Sequence, residues 1–374
     1  MQWQPTDEQC QLADALRRFM QRDYGFAQRR ASASADGFSP QAWATLAELG
    51  ITALLVPDAH GGLNASVQDG LHALQTLAPA LPLEPVLASA LLATQLLAAS
   101  EGSAATQTWL PRLAVGQAIA TPAVFEPGAG FDIERPGTAA SRHADGWRLA
   151  GTKTLVLQAP CADVLLVSAQ TDDATIAWFA VPARSPGVRL QPYALLDAQR
   201  AADVKLDGVQ LAADARIDPA GQGAAMAEDM RALWLAALCA EGVGLLQATL
   251  DATVTYLNTR QQFGQPIGRF QVLQHRAVDM WMEVEQARSM ALLAAEMCTH
   301  GNAPQRSRVL AAAKARVGQA CRFVSQQAVQ LHGGMGMTDE MQVSHWFKRL
   351  TTIELWLGDS DTQLQRVARG PLAA

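Results

Sequence analysis

Basic residues never gather into a cluster along this 374-residue sequence, whose formal net charge is −6. Phosphate neutralisation needs grouped Lys and Arg, so general nucleic-acid binding is not expected. Cysteine is sparse as well. Cys10, Cys161, Cys239, Cys298 and Cys321 are odd in number, far apart and without metal-ligand spacing. That pattern argues against a disulfide framework and a metal site, and suits reduced, buried thiols in a cytoplasmic protein. Met1–Gly25 mixes Asp, Glu and Arg and has no apolar signal core. Long uninterrupted apolar runs are missing too: Leu81–Ala99 contains Glu84 and Pro85, and Leu233–Leu250 has Glu241 near its middle. Both stretches are expected as buried helices, with no membrane span. Neither an internal repeat nor a low-complexity linker is present. What the chain does have is apolar substance, 49% of residues against 17% charged, enough for an extensive core and for two or three domains.

Three zones follow one another. Up to about Gln117 an Ala/Leu-rich sequence keeps helical spacing, broken at Pro57, at Gly61-Gly62 and by prolines after Ala78. From about Ala118 to Asp218 short apolar runs, such as Val164–Val167 and Ile176–Val181, alternate with Gly, Pro and Asp. Those are strand signals, and their close spacing suits a small sheet domain rather than βαβ units. From about Gly223 long helical patterns return, separated at Phe263–Pro266, at Gly301–Pro304 and at Gly333–Gly336. The fold class expected is mainly α with a middle β domain, divided into 1–117, 118–222 and 223–374.

Two stretches invite a chemical reading. In Arg260-Gln261-Gln262-Phe263-Gly264-Gln265-Pro266-Ile267-Gly268-Arg269-Phe270-Gln271, an Arg and several amides surround a Gly turn between two helices. Such a group can hold a pyrophosphate, although an inter-helix turn whose Arg complements the helix dipole has the same residues. In Gln330-Leu331-His332-Gly333-Gly334-Met335-Gly336, three glycines in four positions allow close backbone approach to a phosphate or sugar. A helix C-cap reads the same way, and no strand precedes the run as a dinucleotide fingerprint would require.

Taken together, the order, wording and separation of the two stretches resemble the acyl-CoA dehydrogenase family, in which R-x-x-F-G-x-x-I-x-x-F-Q is followed by Q-x-x-G-G-x-G. The resemblance extends to Leu110–Gly116, to Glu126-Pro127-Gly128-Ala129-Gly130 and, near the start, to Leu49-Gly50, Val56-Pro57 and Gly61-Gly62. It implies a helical N-terminal domain, a β-barrel-like middle domain and a C-terminal four-helix bundle. It also implies FAD as cofactor, an acyl-CoA thioester as substrate for α,β-desaturation, and electron-transfer flavoprotein as acceptor. One FAD lies across a subunit interface in this family. Arg260, Phe263, Phe270, Gln271, Gln330, Gly333 and Gly334 would then serve its adenosine and pyrophosphate side.

The flavin-ring side departs from the family. Where the resemblance places T-E-P-x-A-G-S-D, Phe125 stands for the Thr and Phe131 for the Ser. Where it places K-x-W-I-T, Leu155 and Leu157 replace the Trp and the second Thr. The usual catalytic glutamate of Y-E-G is Leu357, and its alternative location on the long helix is Trp234. A remaining carboxylate, Glu241 in an apolar helix, is the candidate general base, the alternative being a structural Glu paired with an Arg such as Arg276. Arg231 and Arg200 have a place near substrate or an ordinary packing role.

Losses on one side only suggest a heteromer, a heterodimer or α2β2 assembly with a second acyl-CoA dehydrogenase subunit. The chain is most similar to the small subunits of pimeloyl-CoA and steroid side-chain dehydrogenases. A non-catalytic structural subunit and a flavin oxidase or monooxygenase on the same fold are the alternatives.

Overall fold

The computed structural model describes residues 5–219, 221–300 and 303–369. Gly301 and Asn302, part of one expected break, lie outside these residues. The architecture is mainly helical with a sheet in its middle region. The chain divides into two compact units, one made of 27–70 and 82–234, the other of the remaining described residues.

The first unit is built on seven strands: β1 (Ala120–Ala123), β2 (Ala139–His143), β3 (Gly146–Leu157), β4 (Val164–Thr171), β5 (Ile176–Pro182), β6 (Val188–Ala194) and β7 (Arg200–Ala212). Their order is β1-β4-β2-β3-β7-β6, with β5 pairing β4. Along β7, Val204 and Leu206 are buried while Lys205 and Asp207 are exposed, the period of two that puts one face on a core. β4 and β5 are buried almost throughout, as their continuous apolar runs require. The β3–β7 register shifts between Lys153 and Val156. At that bulge Leu155 takes φ +51°, and its N–H donates to the Tyr193 hydroxyl at 3.1 Å, which in turn donates to Asp203 at 2.7 Å.

A carboxylate organises the connection from β1 to β2. Glu126 Oε1 accepts from the Thr138 N–H at 2.9 Å, the Thr138 hydroxyl at 2.6 Å and Lys153 Nζ at 2.6 Å. Its other oxygen accepts from the Gly137 N–H. Lys153 is fully buried and also donates to Ser168 at 3.2 Å. Burial pushes the Lys153 ammonium down to about 8, against the pull of Glu126. For Glu126, burial works upward, but Lys153 and Thr138 together hold the carboxyl below its ordinary range.

In the same unit, the apolar stretch around Leu81–Ala99 is not a plain α-helix. Val86–Ala93 is a π-helix with all eight residues buried, and α-helical turns follow over Thr94–Ala98. Because the segment is apolar all round, its sequence carries no helical face to read. Glu84, just before it, accepts from the Ser39 N–H at 3.1 Å.

The second unit is helical. Helix Gln271–Met297 buries Met280, Val284, Ala287, Ala291 and Ala294, a single stripe at alternating spacings of four and three. Helix Ala303–His332 is buried on more than one face and packs against Gln271–Met297, Gln342–Leu355 and Ser360–Arg369, which makes it the centre of the bundle. By length and composition alone the helix Gly223–Thr259 could cross a membrane, yet 89% of its most apolar window is buried inside the protein. Gly244 of that helix lies against the helix Val67–Leu77: a Cβ there would sit 2.2 Å from the Gln75 carbonyl oxygen. Glu241, three residues earlier, is 4% exposed, and Arg349 donates to it twice, at 2.7 Å from Nε and 2.6 Å from Nη2. The buried ammonium of Lys314 donates to the Glu354 and Gly358 carbonyls at 2.9 and 3.3 Å, closing the end of helix Gln342–Leu355. All five cysteines are free, but only Cys239, Cys298 and Cys321 are buried as expected; Cys161 is half-buried and Cys10, on the first helix, is exposed. Burial pushes the Cys239 thiol up to about 12.

Removing one partner of a buried pair strands the other. Lys153→Met is expected to destabilise the chain by about 3 kcal/mol in urea unfolding, with Glu126→Gln acting in the same direction. Between about 8 and the ordinary lysine value of 10.5, the unfolded chain binds more protons at position 153 than the folded one. The stability margin of wild type over Lys153→Met therefore widens as pH rises through that window. In the helical unit, Glu241→Ala is expected to cost about 3–5 kcal/mol, and Glu241→Leu combined with Arg349→Met to recover much of it. A double variant as unstable as the single one would contradict the ion-pair account.

Candidate functional site

The two motif stretches meet in the helical unit. Helix Gly223–Thr259 ends just before Arg260, and a two-residue hairpin follows, Gln261–Gln262 pairing with Gln265–Pro266. Its tip requires two left-handed residues in succession, Phe263 at φ +53° and Gly264 at φ +78°. The hairpin closes with the Ile267 N–H donating to the Arg260 carbonyl at 2.9 Å. Phe263 is 89% exposed and meets Phe270 edge to face at 6.0 Å.

The Gly-rich run begins where helix Ala303–His332 stops. Tyr256, one turn before Arg260, stacks on the His332 ring with centroids 4.4 Å apart, and so brings hairpin and glycine run together. Nδ1 of His332 donates to the Ala328 carbonyl at 2.8 Å, which fixes the tautomer, since a carbonyl only accepts. Burial holds this imidazole below its ordinary value, so it enters the site as a neutral packing element. Gly333 takes φ +61°, and an added Cβ at Gly264, Gly333 or Gly334 would meet nothing within 4 Å. Arg260, Gln271 and Gln330 are exposed, and their side chains make no hydrogen bond among the described residues. The result is an open surface of free donors and bare backbone, the chemistry that a diphosphate requires.

In the sheet unit the candidate ring-side positions present a different chemistry. Phe125 is 2% exposed and packs on Phe131 at 5.4 Å, edge to face, and on Trp234 at 5.3 Å. Three positions where the resemblance would set polar or catalytic groups thus form one aromatic cluster. Leu157 is buried as well, and Leu155 is occupied at the bulge by Tyr193. None of these side chains offers a hydrogen-bond donor to a flavin carbonyl, except the indole N–H of Trp234.

Glu241 requires a correction. The sequence singled it out as a candidate base, with Arg276 as a possible structural partner. In the structure both its oxygens are engaged by Arg349, 108 positions away, while Arg276 donates instead to Gln327 at 3.2 Å. A carboxylate gripped bidentately and buried between helices holds structure; nothing in its geometry aims it at a substrate. Leu357, at the usual position of the base, is buried at φ +59°, and its carbonyl accepts from Gln363 at 2.6 Å. Arg200 donates to the Ala33 and Ala35 carbonyls at 3.2 and 2.7 Å, the packing role left open for it. Two links escaped sequence reasoning, the Tyr256–His332 stack and the Arg349 partner.

Comparison with known proteins gives the family of the chain. Consecutive models match residues 6–117 (acyl-CoA dehydrogenase, N-terminal domain), 122–209 (middle domain) and 221–372 (C-terminal domain). Acyl-CoA dehydrogenase FadE27 of Mycobacterium tuberculosis is 30% identical over 89% of this chain and 88% of its own length. The mitochondrial short-chain specific acyl-CoA dehydrogenase of Bos taurus is 29% identical over 70% of this chain, and the chain spans 65% of that enzyme. The crystal structure of the ChsE4-ChsE5 complex from Mycobacterium tuberculosis superposes with a TM-score of 0.90 at 27% identity, covering 100% of both chains. With all three domains matched in order and a relative aligned nearly end to end, the chain belongs to the acyl-CoA dehydrogenase family.

Proposed function

We propose that the chain is one subunit of an FAD-dependent acyl-CoA dehydrogenase that introduces an α,β double bond into an acyl-CoA thioester. In this reading it lends the adenosine and pyrophosphate side of an FAD shared with an unlike partner, in a heterodimer or α2β2 assembly. The observation that carries the reading is the contrast between the two half-sites. The Arg260 hairpin and the Gly333-Gly334 run are open and unengaged, whereas Phe125, Phe131 and Trp234 pack against one another.

The residues fit half of an FAD. Arg260 and Gln330 supply donors to the diphosphate, bare backbone at Gly333 and Gly334 admits its close approach, and Phe263, Phe270 and Gln271 line the adenosine end. On the ring side they do not fit. A ring carbonyl buried against Phe or Leu without a donor loses about 1–3 kcal/mol. A flavin held across the pair would supply an acceptor for the hydride that leaves the acyl β-carbon, with electron-transfer flavoprotein as the eventual electron acceptor. This chain's own part is to bind and orient the diphosphate. Leu357 and Trp234 cannot remove the α-proton and Glu241 is engaged by Arg349, so that step falls to the partner. The pairing of two differently named chains in the ChsE4-ChsE5 complex supports the heteromeric reading. Leu357 at the base position also favours a second reading, a non-catalytic structural subunit.

One experiment separates them. The chain is purified alone and co-expressed with a second family member, and flavin per chain is measured by absorbance. Little flavin alone and about one FAD per unlike pair is the expected outcome. Arg260→Ala with Gln330→Ala is expected to weaken retention of flavin by the pair about tenfold or more. Unchanged flavin in that variant favours the structural subunit, and full flavin in the lone chain sinks the shared site.

A further inference from the structure

Five Lys or Arg side chains are buried among the described residues: Arg29, Lys153, Arg231, Lys314 and Arg349. Four of them donate to an acceptor within the chain. Arg29 Nη2 donates to the Asp197 carbonyl at 2.8 Å, Lys153 to Glu126, Lys314 to two carbonyls and Arg349 to Glu241. Arg231 is the exception. It is 6% exposed, its Nη1 has no hydrogen-bond partner, and its nearest carboxylate, Glu134 Oε1, stands 3.9 Å away. A guanidinium presents five N–H donors in a rigid fork and is never neutral in a protein. A buried charged nitrogen without an acceptor is disfavoured, so an acceptor from outside the chain would complete Nη1.

The surroundings narrow the class of ligand. Arg231 lies three residues before Trp234 on the helix Gly223–Thr259, hence on the same face. Trp234 packs on Phe125 and Phe125 on Phe131, and Phe131 shares a loop with Glu134. A cation one helical turn from the Trp234–Phe125–Phe131 cluster suits an apolar ligand that carries an oxyanion. The Glu134 side chain is 61% exposed, so it can swing into solvent and uncover the guanidinium.

We infer that Arg231 anchors an oxyanion of an acyl-CoA ligand, either a carboxylate at the far end of the acyl chain or a phosphate of the CoA. The inference rests on the acyl-CoA reading above but not on the shared flavin. A planar guanidinium takes either group bidentately.

The test uses the co-expressed complex and three thioesters: hexanoyl-CoA, its ω-carboxylated counterpart adipoyl-CoA, and hexanoyl-pantetheine, which lacks the nucleotide phosphates. Affinities are read by titrating tryptophan fluorescence in wild type and in Arg231→Met. If the carboxylate is the anchor's ligand, adipoyl-CoA binds wild type about tenfold or more tighter than hexanoyl-CoA, and the variant abolishes the difference. If a phosphate is, hexanoyl-CoA loses that factor in the variant while hexanoyl-pantetheine does not change. Affinities that ignore the substitution for all three ligands overturn the anchor. A wild-type complex that binds none of them overturns the acyl-CoA reading itself, which keeps the two failures apart. Thermal unfolding without ligand supplies the second measurement. Arg231→Met removes a buried charge whose Nη1 lacks an acceptor, so its Tm is expected to rise. A Tm lowered as far as that of Glu134→Gln would mean that the Arg231–Glu134 pair is structural, and would overturn the inference as well.

Discussion

The sheet unit depends on one carboxylate finding its partners. Glu126 sits where the chain leaves β1, a place of partial burial in which an ionised group needs compensation. Lys153 reaches it from β3, and the backbone and hydroxyl of Thr138 reach it from the start of β2. The loop between β1 and β2 is thereby tied at both ends. Phe125, the residue immediately before that carboxylate, is fixed against Phe131 and Trp234 as a consequence. Ring packing alone would not select one arrangement of a loop this rich in Gly and Pro. The ion pair does, because an ammonium with no exposed surface has few other places to go.

Much of this was legible in the sequence, for reasons that differ between elements. Long helices announced themselves by periodicity and by the breakers between them, and the β region by short apolar runs at close spacing. The hairpin at Phe263-Gly264 and the run at Gly333 could be placed from motif wording, because turn chemistry is local. The losses at Phe125, Phe131, Leu155, Leu157 and Leu357 were equally visible, each as a residue type out of place. Their mutual contact was not. Positions 125 and 234 are linked only through tertiary packing, which no window of neighbouring residues contains. The same holds for Glu241, whose partner lies 108 positions further on. Arg276 was a reasonable candidate by charge, but its own geometry commits it to Gln327. The π-helix at Val86–Ala93 escaped for another reason. A segment buried on all sides has no polar face, and without a face the period cannot be read.

The contrast between the two half-sites has a simple physical basis. An open surface built from glycine and long polar side chains stays solvated until a ligand arrives, so keeping it available carries little penalty. A pocket meant for a large planar ring would be apolar and empty without it, and close packing disfavours such a void. In this chain Phe125 packs on Phe131 and on Trp234.

The hairpin tip has a further consequence. Phe263 is held at φ +53° with almost nine-tenths of its surface in water, and its ring meets Phe270 edge to face. A single protruding phenyl group is a small matter for the stability of the fold, but a large one for colloidal behaviour. Molecules that carry it uncovered attract one another more strongly as salt is added, and adhere to plastic and resin. Precipitation of this chain in isolation would therefore not by itself mean that its helices and strands had come apart.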